Sequence, residues 1–234
     1  MRLNLDILSH DPNSALLLAE KFDLEGIDAR IISSENEIKR DTFLFKFPIL
    51  IKNTNRNHLV FNLHNSLLPK YRGFHAFCWA IQNGEEELGY TIHCVDKQVD
   101  AGAIFAQKKF QIASTHDIND AIFLGEKMLD SWLSPIVAQI LRREILPNFQ
   151  NSVKQIFPRK CDDNFLNPSA TRLDALNLIR AVNPPYGPGV IYQSTNSHRI
   201  MLPFGGASQK ELQRISKGEI LIDLVDGQML VSEI

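Results

Sequence analysis

The chain has 234 residues, of which 44% are hydrophobic and 22% charged, as is ordinary for a globular protein. Its 25 Lys and Arg residues against 27 Asp and Glu residues give a net charge of −2, which excludes a protein held to nucleic acid by bulk positive charge. The three cysteines are scattered without CxxC spacing, so we predict no disulfide framework and a reducing compartment. The N-terminus does not resemble a signal peptide, and no apolar run approaches the roughly 18 residues of a membrane span. We therefore expect a soluble, cytoplasmic protein with no membrane partner.

The N-terminal segment predicts a strand, a helix and a second strand. Residues 3–8 alternate between apolar and polar side chains, and the apolar positions of 13–22 follow helical spacing with Asn13 as the N-cap. Residues 29–33 form the second apolar run. This order favours a parallel sheet with a right-handed crossover. No GxGxxG follows the first strand, so a dinucleotide-binding site is not indicated.

Two apolar runs then predict further strands. Residues 42–51 form a strongly apolar run that carries Pro48, and residues 59–64 form a shorter one with polar groups at its end. Asn62 and His64 are two positions apart, so they point to the same side of a strand. Ligands of open parallel sheets bind beyond the carboxyl ends of the strands, which places both residues where chemistry is expected.

The remaining pattern predicts helices and short strands. The long helix has a near-continuous apolar stripe from Ile118 to Ile140, and Ser114 or Thr115 is its predicted cap. The other predicted elements are a short helix over 75–83, strands over 90–95 and 104–112, a helix over 171–182, strands over 190–193 and 199–202, and a hairpin over 219–232 that turns at Asp226-Gly227. The prolines of 147–168 indicate a long connection. We therefore predict a catalytic domain over residues 1–145, and a connecting segment, helix and small β subdomain over 146–234.

Most of the polar residues that could carry chemistry lie between positions 62 and 100. They are Asn62, His64, Ser66, His75, His93, Asp96 and Asp100. A histidine beside an amide and a carboxylate suits acyl or formyl transfer, because the histidine moves a proton and the amide stabilises an oxyanion. Three histidines and two aspartates could instead bind zinc or iron, although no pair has HxH or HxxxH spacing. Ordinary polar groups at strand ends are a third interpretation, and spacing alone leaves all three open.

A longer motif around these residues resembles a known family. The run from Asn62 to Gly73, NLHNSLLPKYRG, is similar to the NxHxSLLPxxRG signature of formyltransferases that use 10-formyltetrahydrofolate. The second half of that signature also has its counterpart, in Gly84-Glu85, Gly89–His93, Asp96 and Asp100–Ile104. Residues 157–163, 178–181 and 184–189 resemble the longer members, which act on methionyl-tRNA or on amino sugars of nucleotides. Gly73–His75 and His93 are similar to the glycinamide ribonucleotide enzymes.

The resemblance implies a fold and a set of site residues. The fold is α/β, with a Rossmann-like, mainly parallel sheet flanked by helices and a small C-terminal β appendage. The resemblance makes Asn62, His64 and Asp100 the catalytic set. The residues that it implies for folate binding are Ser66, Leu67, Leu68, Pro69, Asp96 and Val99. The co-substrate is 10-formyltetrahydrofolate, and no metal is needed.

The acceptor that we favour is the primary amine of an amino-deoxy sugar on a nucleotide, from a bacterial surface-glycan pathway such as lipopolysaccharide O-antigen biosynthesis. Arg159 and Lys160 could bind its diphosphate, and Tyr186 could stack on its base or sugar. After Gly189 the chain has four basic and five acidic residues, which argues against a module that clamps tRNA. The alternatives are methionyl-tRNA, glycinamide ribonucleotide, or a degenerate, non-catalytic folate-binding protein. Small molecules are thus the expected partners, nucleic acid is not, and a homodimer is compatible with the sequence.

Overall fold

The computed structural model describes residues 2–47, 51, 57–151, 155–158, 166–167, 169–183, 190–193, 197–201 and 219–233. The helices are α1 (Pro12–Leu24), α2 (Ala76–Gln82), α3 (Ile118–Leu141) and α4 (Arg172–Ala181). The strands are β1 (Leu3–Leu8), β2 (Ile27–Ile32), β3 (Thr42–Leu44), β4 (Val60–His64), β5 (Arg72–Gly73), β6 (Glu87–Cys94), β7 (Ile104–Gln111), β8 (Ile156–Phe157), β9 (Val190–Gln193), β10 (Ser197–Met201), β11 (Glu219–Leu224) and β12 (Gly227–Glu233). None of these described helices has the length and apolar character that a bilayer crossing requires.

Two helices begin at positions other than those predicted. The Asp11 side chain caps α1 by accepting from the Ser14 N–H, because Pro12 can occupy the first helical position, where no N–H is needed. The prediction of Asn13 as the cap is therefore wrong. The cap of α3 is Asp117, whose carboxylate accepts from the N–H groups of Asn119 at 2.8 Å and Asp120 at 3.0 Å. The predicted caps Ser114 and Thr115 lie before that turn.

Six strands form the main sheet, in the order β2-β1-β3-β4-β6-β7. The first four run parallel, and β6 pairs antiparallel with β4. The predicted mainly parallel, Rossmann-like class is confirmed. The apolar run of residues 42–51 is interpreted as a buried strand followed by a loop, and β3 is that strand: it ends at Leu44, and Lys46 beyond it adopts a left-handed φ of 50°. Pro48 lies outside the described residues.

The larger of two hydrophobic clusters lies on one side of this sheet, and a smaller one lies on the other side, formed by Leu8, Ile32, Leu44, Ile51 and Val60. Phe22 of α1, Phe43 of β3 and Phe61 of β4 are fully buried in the larger cluster, with ring centroids 5.1 Å apart for the last pair. Val137 and Ile140 bring the C-terminal half of α3 into the same cluster. A fully buried carboxylate, that of Asp6 on β1, is instead paired with Arg30 and Arg40. The larger cluster therefore supports β1, β3 and β4 from one face and fixes the strand that carries Asn62 and His64.

The chain divides into two compact units. The first comprises Met1–Gly73, Gly89–Phe110 and Gly125–Ile156, and the second comprises Phe74–Leu88, Gln111–Leu124 and Phe157–Ile234. The second unit holds an antiparallel sheet in the order β11-β12-β10-β9, the predicted C-terminal β appendage. Its hairpin turns at Val225 and Asp226, one residue earlier than predicted. The domain boundary at residue 145 stays a prediction.

Within the second unit, α4 carries a buried guanidinium. Arg180 donates to the Asn177 side-chain oxygen and to the His116 carbonyl, both at 3.0 Å. Burial lowers the pKa of Arg180. The bond to the His116 carbonyl ties α4 to the turn before α3.

Candidate active site

The pairing of β4 with β6 assembles the polar residues predicted from the sequence. In the antiparallel register Asn62 lies opposite His93, and His64 lies opposite Thr91. Side chains two positions apart share a face of the sheet, so all four residues lie on the same face. His64, Thr91 and His93 are buried, at 7%, 0% and 2% exposure. Strand alternation therefore brings an amide and two imidazoles together in a largely dry environment.

His93 is a neutral histidine that holds the amide of Asn62. Its Nδ1 lies 2.8 Å from the carbonyl oxygen of Cys94, which can only accept, so Nδ1 carries the proton. Its Nε2 is then an acceptor and lies 3.3 Å from the amide nitrogen of Asn62, which donates to it. Burial lowers the pKa of His93 to about 4, against the opposing charge of Asp100. Within the described part of the chain, the second N–H of the Asn62 amide has no acceptor.

His64 is oriented by a backbone carbonyl. Its Nε2 donates to the Tyr71 carbonyl oxygen at 2.9 Å. Tyr71 adopts a left-handed φ of 55°, an uncommon conformation for a bulky side chain and one that is concentrated at functional sites. With its proton on Nε2, neutral His64 presents an unprotonated Nδ1. That nitrogen lies 3.5 Å from Oδ2 of Asp100.

Asp100 completes the group. Its Oδ2 accepts from the Gly73 N–H at 2.8 Å, and its Oδ1 lies 3.5 Å from Nε2 of His93. The carboxylate is thus faced by two imidazole nitrogens that carry no proton when His64 and His93 are neutral. One added proton between Nδ1 of His64 and Oδ2 of Asp100 would turn two opposed acceptors into a charge-assisted hydrogen bond. The arrangement is therefore suited to take up and return a proton.

The predicted folate-binding segment is held by side chains that the sequence motif did not single out. The Thr91 hydroxyl donates to the Ser66 carbonyl at 2.6 Å and accepts from the Leu68 N–H at 3.1 Å. Gln107 donates to the Leu68 carbonyl at 2.8 Å. The Leu68–Pro69 peptide bond is cis. The hydrogen bonds from Thr91 and Gln107 thus hold the Ser66 carbonyl and both backbone polar groups of Leu68 in place.

The other predicted site residues are placed as follows. Asp96 is exposed and Val99 half-buried, in the loop that leads from β6 to Asp100. Arg159, Lys160 and Tyr186 lie outside the described residues. Within the described ranges, no three His, Cys, Asp or Glu side chains are grouped as metal ligands.

Sequence reasoning did not identify two polar residues next to this site. Arg72 is buried and donates to the side-chain oxygen of Gln150 at 2.7 Å. Gln150 in turn donates to the backbone carbonyls of Asp100 and Gly102. Arg72 lies inside the signature and could have been noted there. Gln150 lies in a Pro-containing connection with no periodic pattern, and nothing local marks it.

Comparison with known proteins gives one match to a family model. The model described as formyl transferase matches residues 50–127, the segment that contains Asn62, His64, His93 and Asp100.

Solved formyltransferases also resemble the chain. A methionyl-tRNA formyltransferase from Clostridium thermocellum has a TM-score of 0.68 at 16% identity, covering 99% of this chain and 99% of that one. An N-formyltransferase from Helicobacter canadensis, in complex with folinic acid and dTDP-3-aminofucose, has a TM-score of 0.70 at 20% identity and covers 100% and 99%. A 4-N formyltransferase from Francisella tularensis has a TM-score of 0.73 at 16% identity and covers 88% and 99%.

The signature, the family-model match and the fold agree on one class of protein. The formyl transferase family model matches residues 50–127 of this chain, and the resemblance found in the sequence is confirmed. The similarity covers nearly the full length of each solved chain. Those proteins are described as acting on different acceptors.

Proposed function

We propose that this enzyme transfers a formyl group from 10-formyltetrahydrofolate to the primary amine of a nucleotide-linked amino-deoxy sugar. The observation that carries the proposal is the arrangement of Asn62, His64 and Asp100. It combines an amide with an available N–H and a pair of acceptors that a single proton would join. Formyl transfer to an amine needs both features.

Asn62 stabilises the oxygen of the formyl group. When the acceptor amine attacks the formyl carbon, negative charge develops on that oxygen. One N–H of Asn62 is held by Nε2 of His93, so the amide cannot turn and its other N–H is directed before the reaction begins. A donor that needs no reorganisation stabilises the transition state more than the ground state.

His64 and Asp100 manage the proton. The attacking amine becomes positively charged in the tetrahedral intermediate and must lose a proton. The space between Nδ1 of His64 and Oδ2 of Asp100, 3.5 Å apart, is where that proton can be held. When the carbon–nitrogen bond to the folate breaks, the leaving nitrogen takes up a proton, so the protein ends in its starting state. The protein supplies orientation and charge, and no electrons are exchanged.

Two segments form the folate site in this proposal. One side of the site is lined by residues 66–69, namely Ser66, Leu67, Leu68 and Pro69. The other side is the loop that follows β6, with Asp96 and Val99. The fixed shape of the first segment supports this assignment, because a preformed wall lowers the entropic cost of binding a flexible ligand. The Helicobacter canadensis structure contains folinic acid by its description, which also supports a folate co-substrate.

A nucleotide sugar is favoured as acceptor by charge and by similarity. The net charge of −2 does not suit a tRNA surface, and a similar enzyme was solved with dTDP-3-aminofucose. Arg159 and Lys160 remain the proposed diphosphate ligands, and Tyr186 the proposed stacking residue. We place the reaction in the cytoplasm, in a surface-glycan pathway that includes O-antigen biosynthesis.

The experiment incubates the purified full chain with 10-formyltetrahydrofolate and a panel of amino-deoxy nucleotide sugars. Mass spectrometry then detects the gain of one formyl group. Charged initiator tRNA and glycinamide ribonucleotide are assayed at the same salt concentration. We expect a sugar to be formylated fastest. Efficient formylation of tRNA, or folate binding without turnover on any acceptor, would overturn the proposal.

Variants of the proton-handling pair provide the mechanistic control. His64→Ala and Asp100→Ala are each expected to lower kcat by about 10²-fold or more, because each removes one side of the shared proton position. Circular dichroism should show that both variants remain folded. Turnover near the wild-type rate in either variant would contradict the assigned roles.

A further inference from the structure

The side chain of Gln150 joins two loops of the candidate active site. Its amide nitrogen donates to the carbonyl oxygens of Asp100 at 2.8 Å and Gly102 at 2.7 Å. Its amide oxygen accepts from Nε and Nη2 of Arg72, at 3.2 and 2.7 Å. Both donors and both lone pairs of the amide are therefore in use. Such complete use of a side-chain amide fixes the atoms around it in one arrangement.

The chemistry of these partners allows only one orientation of the amide. Turned by 180°, its oxygen would face two carbonyl oxygens and its N–H groups would face a guanidinium, which has no acceptor. The backbone near Gln150 is also held in place. Asn148, two residues before it, exchanges two backbone hydrogen bonds of 2.8 Å with Ile104. The side-chain amide of Gln150 therefore reaches the Asp100–Gly102 loop from a segment whose backbone is hydrogen-bonded to the start of β7.

Asp100 is a residue that needs such support. It adopts a left-handed φ of 49°, a conformation that aspartate tolerates better than most residues but that is still less favourable than the right-handed or extended regions, so contacts that hold the loop stabilise it. Its carboxylate is tied to the Gly73 N–H, and its own carbonyl is tied to Gln150. Arg72 and Gly73 are neighbours, so both ties connect the Asp100 loop to the same strand, β5.

We propose that Gln150 is a positioning residue for formyl transfer, which sets the place of the Asp100 carboxylate by bridging the Asp100–Gly102 backbone and Arg72. This inference rests on the proposed function. Gln150 contacts neither the carboxylate nor His64, so it acts on the reaction through the backbone of Asp100. The 3.5 Å separation between Asp100 and His64 leaves little tolerance, because a displacement of about 1 Å can cost about 10²-fold in rate.

Two substitutions separate positioning from general support of the fold. Gln150→Glu keeps the length of the side chain and the contact with Arg72, but it turns a carboxylate toward the carbonyls of Asp100 and Gly102. Gln150→Ala removes all of the contacts. Gln155→Ala, at an exposed position on the same segment, is the matched control. We expect Gln150→Glu to lower kcat by about 10-fold or more and to leave the KM for the formyl donor within about 3-fold.

A second readout does not depend on turnover. The imidazole ¹H–¹⁵N signals of His64 and His93, recorded without substrate, should move in Gln150→Glu and Gln150→Ala and stay in place in Gln155→Ala. If the wild type formylates no acceptor, the proposed function fails. In that case, imidazole signals that do not move in the two Gln150 variants would separately overturn the positioning role. Wild-type kcat with unmoved signals in a folded Gln150→Ala variant would overturn the inference outright. A Gln150→Glu variant with a lower melting temperature but the kcat of the wild type would also overturn the inference.

Discussion

At the scale of single residues, His93 shows how one buried side chain acts on two neighbours. Its protonated Nδ1 is anchored on the Cys94 carbonyl, which leaves Nε2 to accept from Asn62. The same nitrogen lies 3.5 Å from Asp100 without a proton to give. His93 therefore orients the amide but does not share the proton that His64 and Asp100 can hold.

The role of His93 predicts an order among substitutions. His93→Gln can keep an oxygen acceptor near Asn62, whereas His93→Leu cannot, so we expect kcat to fall less in the first variant than in the second. Both should retain more activity than His64→Gln. Steady-state kinetics on the three folded variants checks this order. A larger loss in His93→Gln than in His64→Gln would reassign the proton to His93.

The buried imidazole of His93 also predicts a dependence of stability on pH. Its pKa is about 4 in the folded protein and 6.5 in an unperturbed histidine, the value that applies to the unfolded chain. At pH values between the two, the unfolded chain binds the proton more readily than the folded protein does. The free energy of unfolding should therefore fall as the pH is lowered from about 7 to 5, by about 2 kcal/mol from this residue.

Urea unfolding of the wild type and of His93→Gln at the two pH values isolates that contribution. The variant should lose less stability than the wild type over the same interval. Equal losses in the two proteins would show that His93 is not held neutral.

At the scale of elements, the loop that follows β6 depends on Gly102. A Cβ built on Gly102 would lie 1.9 Å from the carbonyl oxygen of Cys94 and 2.7 Å from its carbonyl carbon. Both contacts are with backbone of the strand that carries His93, so neither can be relieved by a rotamer change. The close approach of the two backbones is what returns the chain to β7 after Asp100.

Gly102→Ala should therefore lower both the melting temperature and kcat. Gly26→Ala is the matched control, because a Cβ there meets no atom within 4 Å although φ is +75°. The control should cost about 1 kcal/mol of stability and leave kcat unchanged. Thermal melts and kinetics on both variants test this, and a Gly102→Ala enzyme with wild-type kcat would contradict it.

Much of the fold could be predicted from local patterns, and the reasons for the differences are physical. The alternation of residues 3–8 gave β1 with its observed bounds, and the capping box of Thr171 and Asp174 begins α4 at the expected place. The cap of α1 was displaced because Pro12 is compatible with the first helical turn. The signature located Asn62, His64 and Asp100, but Gln150 acts through contacts 48 and 50 residues away in the chain, which no local pattern reports.

At the scale of the whole molecule, the charge balance predicts how the reaction responds to salt. The net charge of −2 offers no broad cationic surface, so binding of the acceptor should release few counterions. Between about 50 and 200 mM salt, we expect the KM for a nucleotide sugar to change by less than about 10-fold. An enzyme that clamps tRNA would lose about 10³-fold or more in affinity over the same range. Steady-state assays at four salt concentrations test this, and a change of the larger size would point to a polyanionic acceptor.

The opposed positions of Asn62 and His93 in the β4–β6 ladder limit how the gene can vary in length. An insertion or deletion of one codon within either strand would turn every later side chain of that strand to the opposite face of the sheet. Catalytic side chains after that point would then face the apolar layer. Related genes should therefore align without gaps from Val60 to His64 and from Thr91 to Cys94. Length differences should collect in the connections, where an added residue leaves the facing of these side chains unchanged.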